Sequence, residues 1–142
     1  MRCEIYKNLP DEAQEIRTKV FIEEQGFENE FDDVDAQAVH ILMKTDIGIP
    51  VATCRVFWSN EMNSYILGRL AVLKEHRGMG VGSEVVKAAL DYVGKSGGEK
   101  LMLHSQCRAA VFYEKLGFVS FGEVELDEGC PHIWMKKETG VV

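Results

Sequence analysis

The chain has no excess of basic residues, no paired cysteines, no long apolar run and no internal repeat. Its 16 lysines and arginines stand against 23 acidic residues, for a net charge of −7. A phosphate backbone is bound through a positive field, so neither DNA nor RNA is an expected partner. The four cysteines, Cys3, Cys54, Cys107 and Cys130, form no C-x-x-C pair. That spacing suggests neither a metal site nor a disulfide framework, and reduced thiols in a cytoplasm are the simpler reading. The opening stretch MRCEIYKNLPDEAQE carries acids where an export signal needs a basic start and an apolar core, and no later run approaches membrane-spanning length. A cytoplasmic chain without membrane contact is expected. With no linker or low-complexity tract, residues 1–142 read as a single domain.

What is present alternates between two periods. RCEIYK reads as a half-buried strand, and DEAQEIRTKVFIEEQ as a helix with Ala13, Ile16, Val20 and Phe21 on one face, Pro10 at its entrance and Asn8 or Asp11 as cap. GFENEFDDVDAQ is acidic and has no clear period, so a loop or short broken helix is expected. AVHILMK and VATCRVFW form a hairpin around TDIGIP, and SYILGRLAV is a further strand in which Gly68 marks a bulge or a close approach. A helix then runs from near Gly80 to about Lys95 and stops at SGG; KLMLHS, CRAAVFYEKL, FVSFGEVEL and HIWMKK add a strand, a helix and two strands. The order β-α-β-β-β-α-β-α-β-β implies an α+β fold, mixed α/β, around one mixed sheet.

Ahead of the second long helix stands HRGMGVG, residues 76 to 82, where an arginine precedes glycines on alternate positions. Amides at a helix N-terminus lack intrahelical partners and carry partial positive charge, so such an end attracts anions. Glycines let phosphate oxygens approach the main chain without meeting a Cβ. Two nucleotide motifs fail on spacing: no Gly-Lys-Ser/Thr of a P-loop occurs, and a dinucleotide fingerprint counted from Gly80 has Val85 in place of its third glycine.

Arg77-Gly78-Met79-Gly80-Val81-Gly82, following the strand GRLAV, resembles the R/Q-x-x-G-x-G/A motif of the GCN5-related N-acetyltransferase (GNAT) family. RAAVFYEKLGF downstream is similar to the same family's A-x-x-[FLY]-Y-x-K-x-G-F signature. With FIEEQGF and the closing LDEGCPHIWMKK, nearly the whole chain resembles the small bacterial branch related to ElaA. The resemblance implies a mostly antiparallel twisted sheet of about six or seven strands with helices on both faces and a splay between the fourth and fifth strands.

It further implies an acetyl-CoA donor, no metal, and an amine acceptor on a small molecule or peptide, in a fold that is frequently a homodimer. By motif position, Arg77, Gly78, Met79, Gly80, Val81, Gly82 and Ser83 would hold the pyrophosphate. Leu70, Ala71 and Val72 would offer main-chain hydrogen bonds to the pantetheine and the acetyl carbonyl, and Gln106 stands where many relatives carry asparagine.

Acyl transfer to an amine needs a neutral nucleophile and a proton donor for the leaving thiolate. The family's usual donor is the motif tyrosine, here Tyr113. For the base or substrate side the candidates are Glu23, Glu24, His104 and His132, with Asp127 also at the closing segment; each taken alone reads more readily as a structural residue. Cys107, at an expected helix N-terminus, is a minor candidate nucleophile for a covalent route. An acyl-CoA-binding module without catalysis is the competing reading, and a plain interaction domain accounts for neither Arg77 nor the alternating glycines.

Overall fold

Strand formation begins at once: Arg2–Tyr6 (β1) is extended, and Pro10, itself extended, opens the helix Asp11–Arg17 (α1). Pro10 occupies the cap position and no side chain caps the helix, so neither Asn8 nor Asp11 plays the part expected from sequence. The expected single helix through Gln25 also changes winding: Thr18–Glu24 is π-helical, and the Gln25 N–H donates to the Val20 carbonyl five residues back. The wider turn keeps Val20 and Phe21 buried beside Ala13 and Ile16. The acidic stretch ends in a short 3-10 helix, Asp33–Ala36.

Val39–Lys44 (β2), Pro50–Ser59 (β3) and Ser64–Val72 (β4) follow, then Val81–Lys95 (α2), Lys100–Gln106 (β5), Ala110–Lys115 (α3), Val119–Asp127 (β6) and Cys130–Glu138 (β7). The computed structural model describes residues 1–140. Seven strands form one mixed sheet in the order β1-β2-β3-β4-β5-β7-β6. Most neighbours are antiparallel; β4 runs parallel to β5, with Tyr65–Leu67 beside Leu101–Leu103. The expected α+β architecture is therefore the observed one.

The chain packs as two compact units, Met1–Phe57 with Gly68–Ala89, and Trp58–Leu67 with the chain from Leu90 onward. In the first unit His40–Met43 and Val51–Val56 are buried without alternation, the pattern of strands covered on both faces. Ala13, Ile16, Val20 and Phe21 pack with Leu42 and Ala71, and Tyr6, Leu9, Phe27 and Leu73 border the cluster. β4 breaks its regular pleat immediately after Leu67: Arg69 is left-handed, with φ +54°. Gly68, whose absent Cβ would lie 3.5 Å from Nε of Arg55, is the neighbour that leaves room for that side chain.

In the second unit β5 buries Leu101–Leu103, Tyr113 and Phe118 pack edge to face, and β6 is an exposed edge strand. The end of α2 is closed by Gly97 and Gly98, whose N–H groups return to the carbonyls of Gly94 and Val93. Gly98 has no space for a side chain: a Cβ there would stand 2.5 Å from Val93 Cγ1 and 2.7 Å from Tyr65 Cδ2. Gly98→Ala is expected to cost about 2 kcal/mol through overpacking and to lower the melting temperature by several degrees in a thermal scan. An unchanged melting temperature would show that this packing yields.

Candidate active site

α2 begins where the glycine segment ends. Gly78 and Gly80 have φ of +80° and +79°, with nothing within 4 Å of where a Cβ would stand, so they are required by backbone conformation and not by crowding. The Glu84 N–H donates to the Gly80 carbonyl as the first turn closes. The preceding amides of Val81, Gly82 and Ser83 have no partner within the helix, which makes this end of a 15-residue helix an anion-attracting one. The chain enters it through a 3-10 turn, Lys74–His76, and an extended Arg77.

Arg77 is held on both sides. Its Nε donates to the Val72 carbonyl of β4 at 2.9 Å, and its Nη1 and Nη2 donate to the two carboxylate oxygens of Glu24 at 2.9 and 2.8 Å. This fork-to-fork pair joins the end of the π-helical turn to the glycine loop. It also bears on two expectations: the charge of Arg77 is shared with a carboxylate, and the arginine holds the Glu24 carboxyl below its ordinary range. A carboxylate so stabilised is a weak base. Glu23, on the same turn, is exposed. Leu70 and Val72 are half-buried and Ala71 is buried, and all three follow directly on left-handed Arg69.

The left-handed Arg69 is held by partners that its own strand does not supply. The acidic stretch, expected as a loop or short broken helix, turns inward: Glu30 is 3% exposed and Asp35 9%. Arg17, 1% exposed on the apolar face of α1, donates from Nε to Glu30 at 2.8 Å and from Nη1 and Nη2 to Asp35 at 2.8 and 3.2 Å. Arg55 on β3 bridges Asp35 at 2.9 Å and Asp32 at 2.7 Å. Arg69 reaches the Glu30 carbonyl at 3.1 Å and Asp32 at 3.3 Å, with its Nε 3.2 Å from the Glu30 carboxylate. Asp32 also caps the 3-10 helix, accepting from the Val34 N–H. Three guanidiniums and three carboxylates thus tie α1, the acidic loop, β3 and the β4 bulge together. Removing one partner would strand a buried charge, at a cost of about 3–5 kcal/mol. Left-handed backbone at a non-glycine residue costs roughly 1–2 kcal/mol, which the contacts of Arg69 offset.

The second unit holds the other candidates. Tyr113 lies in α3, 7% exposed, with its ring edge-on to Phe112 and Phe118 at 5.0 and 5.8 Å between centroids. Gln106 accepts a hydrogen bond from Arg108 Nε at 2.7 Å. Cys107 opens a 3-10 turn, Cys107–Ala109, and α3 follows from Ala110. His104 stacks on Trp134 at 4.7 Å and lies 5.0 Å from the His132 ring. Burial, then the neighbouring His132, pushes the His104 pKa down, so the imidazole is neutral at neutral pH. Among the described residues its buried Nε2 has no hydrogen-bond partner, and it sits 3.7 Å from Glu125. His132, buried, donates from Nδ1 to the Cys130 carbonyl at 2.8 Å. The structure thus places Arg77, Glu24, the glycine loop and Leu70–Val72 in one unit, and Tyr113, Gln106, His104 and His132 in the other.

Comparison with known proteins identifies the family. Residues 7–139 match the family model described as an acetyltransferase (GNAT) domain, and the chain belongs to that family of N-acetyltransferases. It is 34% identical over 143 residues to the uncharacterised N-acetyltransferase YjcF of Bacillus subtilis, covering 97% of this chain and all of that protein. Among solved structures it is similar to Escherichia coli ElaA, at 26% identity and a TM-score of 0.83, covering 96% of this chain and 99% of that one. An aminoglycoside 6'-N-acetyltransferase complexed with coenzyme A shares the fold, at 16% identity and a TM-score of 0.77, with coverage of 98% and 97%.

The charge cluster sets a pH dependence. Burial works against ionisation of Asp35, but Arg17 and Arg55 hold it at about 2, below its ordinary 3.8. A depressed carboxyl contributes stability that is complete above the unfolded pKa and lost as pH falls through the folded one. Asp32, also lowered, acts in the same direction, whereas burial raises Glu30 and gives it the opposite sign. Urea unfolding between about pH 4 and pH 2 should show Asp35 contributing a loss on the order of 2 kcal/mol. Asp35→Asn should be weaker at pH 7 and lose less across that window; an unaltered acid slope would remove Asp35 from the account.

Proposed function

We propose that residues 1–142 form one domain that transfers an acetyl group from acetyl-CoA to a primary amine of a small molecule or peptide, in the cytoplasm, by direct attack. The observation that carries this reading is the left-handed pair Gly78 and Gly80 at the N-terminus of α2. Acetyl-CoA as substrate supplies an activated thioester; the chain's part is to hold it and manage two protons. The amides from Met79 to Ser83 suit the pyrophosphate, and the main chain at Leu70–Val72 suits the pantetheine and the acetyl oxygen. The coenzyme A complex of the aminoglycoside acetyltransferase with the same fold supports a CoA donor.

On the leaving side Tyr113 donates a proton to the thiolate. A phenol O–H can donate a hydrogen bond to the departing sulfur. On the acceptor side the candidates for the base include His104, whose imidazole burial and the neighbouring His132 keep neutral, and Glu24, whose carboxylate is stabilised by Arg77. Direct transfer is favoured over a Cys107 acyl-enzyme, since the 3-10 turn gives that thiol no long helix dipole.

The burial of Tyr113 between two phenylalanines favours a second reading, an acyl-CoA-binding module in which the tyrosine only packs. Tyr113→Phe separates the two, because it keeps the ring and removes the proton. In a screen of amines, polyamines, amino acids and short peptides, turnover of the accepted amine should fall about 10²-fold with CoA affinity unchanged. Undiminished turnover would remove Tyr113 as the acid, and no turnover by the wild type with calorimetric binding of CoA would leave the binding module.

A further inference from the structure

The least expected backbone torsion in β4 belongs to Arg69, not to the glycine beside it. An ordinary residue persists in the left-handed region only where its surroundings over-determine it. Here the surroundings are supplied from outside the strand. The Glu30 carbonyl accepts from Arg69 Nε, the Glu30 carboxylate lies 3.2 Å from the same atom, and Asp32 accepts from Nη2. Neither anchor is loose: Glu30 is gripped by Arg17, and Asp32 by Arg55 while it caps its own 3-10 helix. The three residues that follow Arg69 are those whose main chain is proposed above to carry the donor.

We propose that Arg69 is a positioning residue for the donor: its left-handed backbone, locked by Glu30 and Asp32, sets the direction in which Leu70, Ala71 and Val72 present their amides and carbonyls to acyl-CoA. The inference rests on the acetyl-CoA reading of the site. It gives the acidic stretch a task, that of an external clamp on the donor-binding edge. It also assigns the side chain of Arg69 no contact with either substrate; the side chain matters only through the φ it maintains.

That last point makes the proposal separable from a merely structural role. Glycine takes a φ of +54° without penalty, asparagine tolerates it, and a β-branched residue does not. Arg69→Gly and Arg69→Asn should therefore keep the KM for acetyl-CoA within about threefold of wild type, whereas Arg69→Val should raise it roughly tenfold or more. The acceptor KM should stay level in all three. Glu30→Gln alone should raise the donor KM, and in the Arg69→Gly background it should add less than about twofold, because the clamp then has nothing left to hold.

A purely structural role would instead lower the active fraction, and so the apparent kcat, with the donor KM untouched. Calorimetry with CoA on folded protein, checked by circular dichroism, repeats the comparison without turnover. Equal loss of donor affinity in Arg69→Gly and Arg69→Val, or full affinity in Arg69→Val and Glu30→Gln, would overturn the positioning role while the acetyl-CoA reading stood. Absence of CoA binding by the wild type would overturn that reading itself.

Discussion

Burying the guanidiniums of Arg17 and Arg55 and half-burying that of Arg69 is tolerable only where carboxylates meet them, and this constraint organises the first unit. Arg17, Arg55 and Arg69 come from α1, β3 and β4, and the acidic loop folds inward because it holds the matching charges. Buried ion pairs seldom exceed an apolar packing in net stability, so the cluster is better understood by what it specifies than by what it adds. It specifies the path of the loop, the capped 3-10 helix and the left-handed turn of β4.

The glycine-led end of α2 depends on a second, smaller linkage. Arg77 joins the Val72 carbonyl to the Glu24 carboxylate, so the end of β4, the π-helical turn and the loop entering α2 share one side chain. The π winding has a clear local consequence there, since it ends at Glu24 and delivers that carboxylate to the arginine. The same pairing that fits the loop in place lowers the basicity of Glu24.

Much of this was legible beforehand. Period and turn residues located every strand and the span of α2, because alternation and helical spacing are local signals. Arg77, the alternating glycines and FYEKLGF stood out because a phosphate cradle and its following helix are contiguous in sequence. The charge cluster was not legible as a cluster, since its six members come from four separated segments. A signal existed all the same: Arg17 falls on the apolar face with Ala13, Ile16, Val20 and Phe21, and Arg55 and Arg69 interrupt otherwise apolar strands. Three charges on buried faces call for three partners, and the one aperiodic acidic stretch could supply them. Gly68 drew attention to this part of β4, but the left-handed residue is its neighbour Arg69, which is held by contacts distant in sequence.

The central claim is that main-chain amides at the start of α2 hold the donor's pyrophosphate. Amide hydrogen exchange followed by NMR, with and without CoA, tests it most directly, with pantetheine as the ligand lacking the pyrophosphate. The account predicts that CoA slows exchange at Gly80 to Ser83 and that pantetheine leaves these amides as they were. Equal protection by both ligands, or none by CoA, would contradict it.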